Sequence, residues 1–193
     1  MSSAAPDLAQ VGYHDDFYGF RDVPFHVHLG MRFERPDPAG PAVVTLPAQS
    51  HLLEPDGRQS MAAVYAVGEV ASGISVCDAL LLHAAEAESA LMPLVLTKRA
   101  VFTPMARPYG DVRSRTACVG DASAAAEKLR ASRKVKVEVE GELLGDGDEV
   151  AGRIHVYFYV RLMELSRLEA MAGELMPAMA NRAREVLGGT AAR

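Results

Sequence analysis

Residues 59–73, QSMAAVYAVGEVASG, decide the fold class of this chain. From Ser60, about 25 residues contain no proline and many helix formers, which predicts a long helix that ends near LLLHAAEAESA. The helix is apolar almost all round and contains Gly68 and Gly73, although each interior glycine costs roughly 1 kcal/mol relative to alanine. We therefore expect other structure to surround it, with the glycines permitting close approach of a sheet, a second helix or a ligand.

One acidic residue, Glu69, interrupts this apolar pattern. Both of its neighbours, Gly68 and Val70, are small or apolar, so the pattern places a carboxylate within a mostly buried helix. In a purely structural interpretation, Glu69 is a partly exposed acid or is paired with Arg58 or Arg99. In a functional interpretation, the Glu69 carboxylate acts as a base or nucleophile in a reaction.

The segments on both sides of the helix alternate in hydropathy and predict strands. Before the helix, FHVHLGMRFER (25–35) and PAVVTLP (41–47) predict two strands joined by a PDPAG turn. After it, the strand-like runs are LVLTKRAVFT (94–103), DVRSRTACV (111–119), RKVKVEVEGELL (133–144) and EVAGRIHVYFYVRL (149–162). The separators PMARPYG, GDASAAAEKLRAS and GDGD are typical of turns or loops. We therefore expect about six antiparallel strands around one helix.

The two ends of the chain are predicted to lie outside this central unit. Residues 1–24 predict a loose start followed by a short helical or irregular segment, packed by the aromatic residues Tyr13, Phe17, Tyr18 and Phe20. The tail from 165 to 187 has apolar residues at helical spacing, with Pro177 marking a kink. It predicts an amphipathic helix on the domain, or alternatively a membrane- or partner-binding helix. The boundaries are an extension at 1–24, a domain at 25–163 and a tail at 164–193.

Composition excludes several classes of function. The 193 residues are 49% hydrophobic, which fits one domain with a real core, and the formal net charge of −5 argues against a nucleic-acid surface spread over the whole molecule. Cys77 and Cys118 suggest neither a disulfide framework nor a metal knuckle. The start of the chain has no signal-peptide pattern, and no membrane-spanning run follows. We expect a cytoplasmic protein.

The order of elements and three sequence stretches carry a family resemblance. The helix SMAAVYAVGEVASG, the run VLTKRAVFTPMARPYGDV and the late RKVKVEVEGELLGDGDEVAGRIHVYFYVRL resemble the hotdog acyl-CoA thioesterases, in particular the branch of phenylacetate-pathway and 4-hydroxybenzoyl-CoA thioesterases. The resemblance covers about residues 25–163. It implies an α+β hotdog fold, in which a curled antiparallel sheet wraps a long central helix, with an appended C-terminal helix.

The resemblance also implies site residues. In that family the helix typically opens with His-Gly-Gly and carries an acid eight residues after the first glycine. Aligned on the acid, this chain has Ser60, Met61 and Ala62 at the opening and Glu69 as the acid. The acid matches the family pattern and the helix opening differs from it. Because every residue except proline keeps its backbone N–H, the different opening still has backbone donors for an oxyanion.

Thioester hydrolysis needs a base or nucleophile and hydrogen-bond donors for the developing oxyanion. The free N–H groups at a helix start supply donors, and Met61 N–H, or Ala62 N–H beside it, is our candidate. Glu69 is the predicted base, or a nucleophile that forms an anhydride, and Ser72 would hold the water or the carboxylate. Tyr65, the N-terminal aromatic segment or the Met-rich tail would line the acyl pocket. No metal or organic cofactor is required.

The helix geometry predicts a dimer. Eight residues at about 1.5 Å rise separate Met61 from Glu69 by roughly 12 Å, so the two cannot serve one carbonyl within one chain. An isologous dimer with antiparallel central helices would bring Glu69 of one subunit to the helix start of the other. Homodimer and homotetramer stay open.

Other candidate sites are weaker. The segment EKLRASRKVK suggests a basic patch for the phosphates of coenzyme A, with Arg133 and Lys134 as the best candidates. For any single residue, a solvated strand edge is the favoured explanation. His26 and His28 would share a face of a strand but have no third ligand, so ordinary histidines are favoured. Cys77 and His83 do not share a helix face, and no Gly-x-Ser-x-Gly elbow is present.

Two other functions compete with the thioesterase. A non-catalytic hotdog module that binds an acyl-CoA or another apolar ligand is favoured by the altered opening at Ser60, Met61 and Ala62. A hotdog hydratase or dehydratase would need a histidine near the helix acid, and the predicted helix offers none close to Glu69. We rank the second alternative last.

Overall fold

The structure is a computed structural model that describes residues 17–37, 40–82, 91–164 and 167. Its helices are α1 (Pro24–His28), α2 (Met61–Ala79) and α3 (Ala122–Ser132). Its strands are β1 (Arg32–Glu34), β2 (Val43–Leu46), β3 (Leu91–Pro104), β4 (Val112–Cys118), β5 (Lys134–Leu144) and β6 (Val150–Glu164). Within the described residues, three short 3-10 helices lie at Phe17–Asp22, Ser50–Leu52 and Asp146–Asp148.

The strands form one six-stranded sheet in the order β1-β2-β4-β5-β6-β3. Every neighbouring pair is antiparallel. Strand β3, with 14 residues, is the edge strand at one side of this sheet. The prediction of about six antiparallel strands around one long helix is therefore confirmed.

Helix α2 lies across the concave face of the sheet. Near its start the Tyr65 ring meets Phe102 of β3, with ring centroids 5.9 Å apart. Further along, Ser75 Oγ lies 2.8 Å from Thr116 Oγ1 of β4. Its length and hydropathy of 1.2 suffice for a membrane span, but 72% of that window is buried inside the fold, as in the core helix of a globular domain.

The two glycines of α2 allow close contacts, as the sequence predicts. A Cβ at Gly68 would lie 2.9 Å from Ile154 Cδ1, and one at Gly73 would lie 2.8 Å from Phe20 Cζ. Val67 and Ile74, on either side of these positions, are fully buried, and burial of such a side chain contributes about 1.5–3 kcal/mol. The glycines therefore lower the helix propensity of α2 but let the sheet and an aromatic ring reach its backbone.

The predicted strand at 25–35 is mostly wrong. Residues 24–28 form the short helix α1, with Pro24 in its first turn and Leu29 N–H donating to the Phe25 carbonyl at 3.0 Å. Proline fits the first helical position because its fixed φ suits the helix and its missing N–H is not needed there. The strand begins only at Arg32, after Gly30 turns the chain with φ 64°.

The prediction of a loop between β4 and β5 is also wrong, because residues 122–132 form helix α3. Asp121 caps this helix by accepting a hydrogen bond from Ala124 N–H at 3.0 Å. Ala126 and Leu129 are buried, and Arg133 ends the helix in the left-handed conformation with φ 57°. A capping aspartate before an alanine-rich run was the overlooked signal.

The N-terminal aromatic segment packs as predicted for the residues that the structure describes. Phe17 and Tyr18 are buried, and Phe20 packs against the core. Tyr13, His83 and the predicted C-terminal helix, apart from Arg167, lie outside the described residues.

Candidate active site

One face of helix α2 is only partly covered by the other residues that the structure describes. Residues 62, 65, 69, 73 and 76 follow each other at intervals of three or four and therefore share this face. Ala62 is exposed, and Tyr65 and Glu69 are half-buried, whereas the positions at 73 and 76 are buried. We call Ala62, Tyr65 and Glu69 the open stripe. It lies near the edge strand β3, where Tyr65 touches Phe102.

Glu69 is less enclosed than its sequence neighbours suggest, because no described element of the chain covers the open stripe completely. Its carboxylate faces Tyr65, one helical turn earlier. Burial, the charge of Glu69 and a hydrogen bond to its carboxylate raise the pKa of Tyr65 above the usual range of tyrosine. The Tyr65 hydroxyl therefore stays protonated at neutral pH and is available as a donor to the carboxylate.

Neither arginine considered as a partner for Glu69 pairs with it in the part of the chain that the structure describes. Arg58 donates to the Tyr109 hydroxyl at 3.0 Å and lies 3.7 Å from Asp56. Arg99 lies over the ring of Tyr157, 5.9 Å from its centroid. Glu69 thus keeps a carboxylate without an observed cationic partner, which suits a base better than a salt bridge would.

The start of α2 offers free backbone donors. Ser60 is the cap residue, with φ −62° and ψ 128°, and its carbonyl accepts the Val64 N–H at 3.0 Å. This is the first hydrogen bond of the helix, so the N–H groups of the helical residues before Val64 have no carbonyl within the helix to which they can donate. Met61 and Ala62, the predicted donors, belong to this group, and Met61 is half-buried while Ala62 is exposed.

Gln59 fixes this helix start, and sequence reasoning missed it. The residue is fully buried. Its backbone N–H donates to the Pro108 carbonyl at 2.9 Å, and its side-chain Nε2 donates to the Gly110 carbonyl, also at 2.9 Å. These bonds tie the β3–β4 loop to the start of α2. No pattern in the sequence indicates them, because they depend on a loop about 50 residues later.

Ser72 has a different environment from the one predicted. The residue is fully buried, and its hydroxyl donates to the Gly68 carbonyl at 2.7 Å. Such a bond to the preceding turn is common for serine within helices. It gives Ser72 a structural part in α2, and contact with a water or with the Glu69 carboxylate stays a prediction.

A second feature gathers basic side chains at one end of β5 and β6. Arg133 and Lys134, the predicted phosphate ligands, line a surface cavity of about 280 Å³ together with Arg161 and Arg167. Lys134 and Arg161 are direct neighbours in the sheet register, and Arg161 is exposed. The sequence indicates the first two residues only, because Arg161 joins them through strand pairing and Arg167 follows the end of β6. We call these four residues the basic pocket.

The histidines do not form a metal site in the described residues, where no group of three or more His, Cys, Asp or Glu could hold an ion. His26 and His28 lie on helix α1 rather than on a strand, so they point in different directions. His26 is buried, with Nδ1 2.7 Å from the Phe20 carbonyl. The ring of His28 lies 5.5 Å from that of His51.

The cysteines are free thiols: Cys77 is buried and Cys118 half-buried. Burial, with a smaller contribution from the charge of Asp78, raises the pKa of Cys118 to about 11. Its sulfur lies 3.5 Å from the Ser75 carbonyl. A thiol that remains protonated at neutral pH is a poor nucleophile, so Cys118 has the properties of a structural residue.

Several solved structures share this architecture at low sequence identity. A Pseudomonas aeruginosa protein of unknown function, named a probable thioesterase, is 16% identical with a TM-score of 0.57 over 79% of this chain and 93% of its own. A Shewanella oneidensis protein, described as related to the thioesterase superfamily, is 13% identical with a TM-score of 0.61 over 80% and 98%. A mutant thioesterase from Pseudomonas aeruginosa is 14% identical with a TM-score of 0.55 over 83% and 97%.

Neither a family model nor a curated protein matches the sequence. The structural likenesses show the fold, so the predicted hotdog fold, a curled antiparallel sheet around a central helix, is confirmed. The particular branch of phenylacetate-pathway and 4-hydroxybenzoyl-CoA thioesterases stays a prediction.

Proposed function

We propose that the protein is an acyl-CoA thioesterase whose active sites form between two copies of the chain. The observation that carries this proposal is the position of Glu69: it is the acid of the open stripe, beside a tyrosine and near the edge strand β3. The names of solved structures with the same fold, a probable thioesterase and a mutant thioesterase, support the reaction class.

A second copy completes the site in this proposal. Strand β3 has 14 residues and lies at the edge of the sheet, with Leu96 and Val101 exposed. A long edge of this kind presents unpaired backbone groups and apolar side chains, which favours pairing with another strand. A twofold axis beside β3 would place the two α2 helices antiparallel with their open stripes facing each other.

This arrangement solves the distance problem within one chain. Met61 and Glu69 lie roughly 12 Å apart along α2, but an antiparallel partner helix can place its own start beside Glu69. The midpoint between positions 61 and 69 is position 65, so the twofold axis would pass near Tyr65. Each dimer then has two equivalent sites, each with one Glu69 and one helix start.

The chemistry follows from these groups. The Glu69 carboxylate accepts a proton from water as the water oxygen bonds to the thioester carbonyl carbon. The carbonyl oxygen becomes negative and is held by the amide of Met61 of the partner subunit. When the carbon–sulfur bond breaks, the thiolate leaves with the proton from Glu69, which gives a carboxylic acid and a free thiol. Alternatively, Glu69 attacks the carbonyl carbon, the carbon–sulfur bond breaks and the thiolate leaves. Water then hydrolyses the resulting anhydride, which releases the carboxylic acid and regenerates Glu69.

The basic pocket would hold the phosphates of coenzyme A. Arg133, Lys134, Arg161 and Arg167 gather four cations around one cavity of a chain whose net charge is −5. Arginine and lysine are the residues that commonly bind phosphate groups, arginine by paired donors and lysine as a point charge. Glu164 lines the same cavity and partly offsets this charge.

Thiol release from a panel of acyl-CoA substrates tests the proposal. Glu69→Gln keeps the shape of the side chain but removes its basicity, so kcat should fall by about 10² to 10⁴ with KM within a few fold. Glu140→Gln is the matched control, because that carboxylate lies on the outer sheet face near His155 and is mostly exposed. Turnover that survives in Glu69→Gln would remove Glu69 from the mechanism.

The second candidate function is a non-catalytic module that binds an acyl-CoA. It is favoured by the helix opening, where Met61 carries a half-buried side chain at a position where the resemblance implies a glycine. Binding of acyl-CoA by calorimetry with no thiol release by the wild type, across the whole panel, would support this module and contradict the thioesterase.

A further inference from the structure

The open stripe of α2 ends at an aromatic ring from the N-terminal segment. Gly73 lies one helical turn after Glu69 on the same face, and the ring of Phe20 covers it. A Cβ at Gly73 would meet three atoms of this ring, at 2.8, 3.2 and 3.7 Å. A side chain at residue 73 would therefore push the ring away from its present position on the helix.

The backbone around Phe20 is held from two sides. On one side, the Phe20 carbonyl lies 2.7 Å from Nδ1 of His26, and the two rings stack with centroids 6.1 Å apart and an interplanar angle of 16°. On the other side, the Tyr18 hydroxyl donates to Asp78 of α2 at 2.7 Å. The ring thus has fixed anchors before and after it in the chain.

The segment also adopts an unusual backbone conformation. Phe17, Tyr18 and Gly19 have φ values of 55°, 58° and 77°. Left-handed conformations are unfavourable for residues other than glycine, and they persist where the surroundings hold them in place. Burial of the Phe17 and Tyr18 side chains supplies that constraint. The turn directs the chain so that Phe20 lands on Gly73.

We infer that Phe20 is the end wall of the acyl site and limits the length of the acyl group that the protein accepts. The inference rests on the proposed function, because it takes Glu69 as the position of the thioester carbonyl. From Glu69 to Gly73 is one turn of helix, about 5–6 Å. An acyl chain that runs along the stripe from Glu69 toward Gly73 meets the ring after a few carbons. The substrate class is therefore short-chain acyl thioesters rather than long fatty ones.

Phe20 would limit the length of the acyl group in two ways, by occupying space and by providing an apolar contact. Phe20, half-buried against the core, offers a flat apolar surface to the end of a short chain. A longer chain must displace this ring and break the contacts that hold it. Selection by a closed apolar pocket typically amounts to about ten- to 200-fold in kcat/KM for one methylene group.

Changing the size of residue 20 in both directions tests the inference. We compare kcat/KM for butyryl-CoA and octanoyl-CoA in the wild type, Phe20→Ala, Phe20→Trp and the control Phe25→Ala. Phe25 lies in the adjacent helix α1 and is 57% exposed. Phe20→Ala should raise the octanoyl-to-butyryl ratio by about tenfold or more. Phe20→Trp should lower it, and Phe25→Ala should leave it unchanged.

The outcomes separate this inference from the proposed function. If Phe20→Ala and Phe20→Trp hydrolyse acyl-CoA with an unchanged octanoyl-to-butyryl ratio of kcat/KM, the role of Phe20 as end wall is refuted. The proposed thioesterase activity is then unaffected. If the wild type hydrolyses nothing, the same ratio is measured as the dissociation constants of non-hydrolysable acyl-CoA thioethers. If substitution of residue 20 changes that binding ratio, Phe20 limits the acyl length although the protein is not a thioesterase. If the ratio does not change, both the role of Phe20 and the proposed thioesterase activity are refuted.

A purely structural role of Phe20 predicts a different result. Loss of the ring would then lower the stability of the protein and reduce activity equally for both substrates. Thermal unfolding of each variant is therefore measured beside the kinetics, and Phe20→Leu replaces Phe20→Ala if the alanine variant does not fold. Equal losses for butyryl-CoA and octanoyl-CoA in the leucine variant overturn the inference.

Discussion

Replacement of Met61 by proline removes one backbone donor from the proposed oxyanion site and leaves the helix in place. Ser60 has φ −62° and ψ 128°, which lies in the extended region that a residue before proline prefers. Met61 is the first residue of α2, and proline is favoured at that position. Its N–H has no partner within the helix, and the bond from Val64 N–H to the Ser60 carbonyl does not involve it.

The size of the effect follows from this geometry. Loss of one oxyanion donor typically lowers kcat by about 10² to 10³, which corresponds to roughly 3–4 kcal/mol. The matched control is Met61→Ala, which loses the same half-buried side chain but keeps the N–H. We expect Met61→Pro to fall 10² to 10³ below Met61→Ala in kcat, with similar KM and with unfolding free energies within about 1 kcal/mol of each other.

Steady-state thiol release gives kcat and KM for both variants, and urea unfolding gives their stabilities. The reasoning is refuted if Met61→Pro folds normally and retains a kcat within about threefold of Met61→Ala. The amide of Met61 would then not be a donor to the oxyanion, and the difference would be too small for the loss of any such hydrogen bond.

Three further predictions concern stability, thiol chemistry and substrate binding. Asp78→Asn should lower the free energy of unfolding by about 1–3 kcal/mol, because it leaves the mostly buried Arg35 guanidinium, 2.7 Å away, without this counter-ion. Asp148→Asn, in a mostly exposed ion pair, should lower it by less than about 0.5 kcal/mol, and equal losses in urea unfolding would contradict the burial argument. Since its pKa is raised to about 11, Cys118 should react slowly with iodoacetamide at pH 7.5 and faster as the pH rises toward 11; fast labelling at pH 7.5, detected by mass spectrometry, would show that the thiol is not protected. Arg161→Glu should raise KM for an acyl-CoA by about tenfold but not for the matching acyl-pantetheine, and an equal rise for both would exclude phosphate binding by the basic pocket.

The main elements of the fold could be predicted because their side chains repeat at regular intervals. Strand β5 alternates between buried and exposed residues, and β6 between buried and less buried ones, along most of their length. Helix α2 is a long run of helix formers without proline. Helix α3 escaped prediction because only Ala126 and Leu129 of its residues are buried. A helix with such a narrow apolar face resembles a loop in composition.

The candidate site could be predicted only in part. Glu69 stands out because it is a carboxylate in an apolar helix, and that anomaly is visible in the sequence alone. Its surroundings are not visible there. The contact of Tyr65 with Phe102 and the contact of Phe20 with Gly73 join residues that are distant in the chain. Such contacts depend on how the sheet curls around α2, which periodicity does not determine.

The basic pocket shows the same limit. Arg133 and Lys134 lie in a visible cluster of charges. Arg161 joins them because β5 and β6 pair in a register that places it directly beside Lys134. The register of an antiparallel pair is set by the hydrophobic alternation and by the intervening turn. If the length of the turn between β5 and β6 is uncertain by one residue, the sequence does not show which residue of β6 lies beside Lys134.

Subunit complementation tests most directly whether each site combines Glu69 of one subunit with the helix start of the other. Met61→Pro and Glu69→Gln are each expected to be nearly inactive alone. In a randomly mixed population half of the dimers are heterodimers, and one of their two sites has both intact groups. We therefore expect about a quarter of wild-type activity after mixing. Mixed dimers, verified by mass spectrometry, that regain no activity would place both groups in the same chain and contradict the shared site.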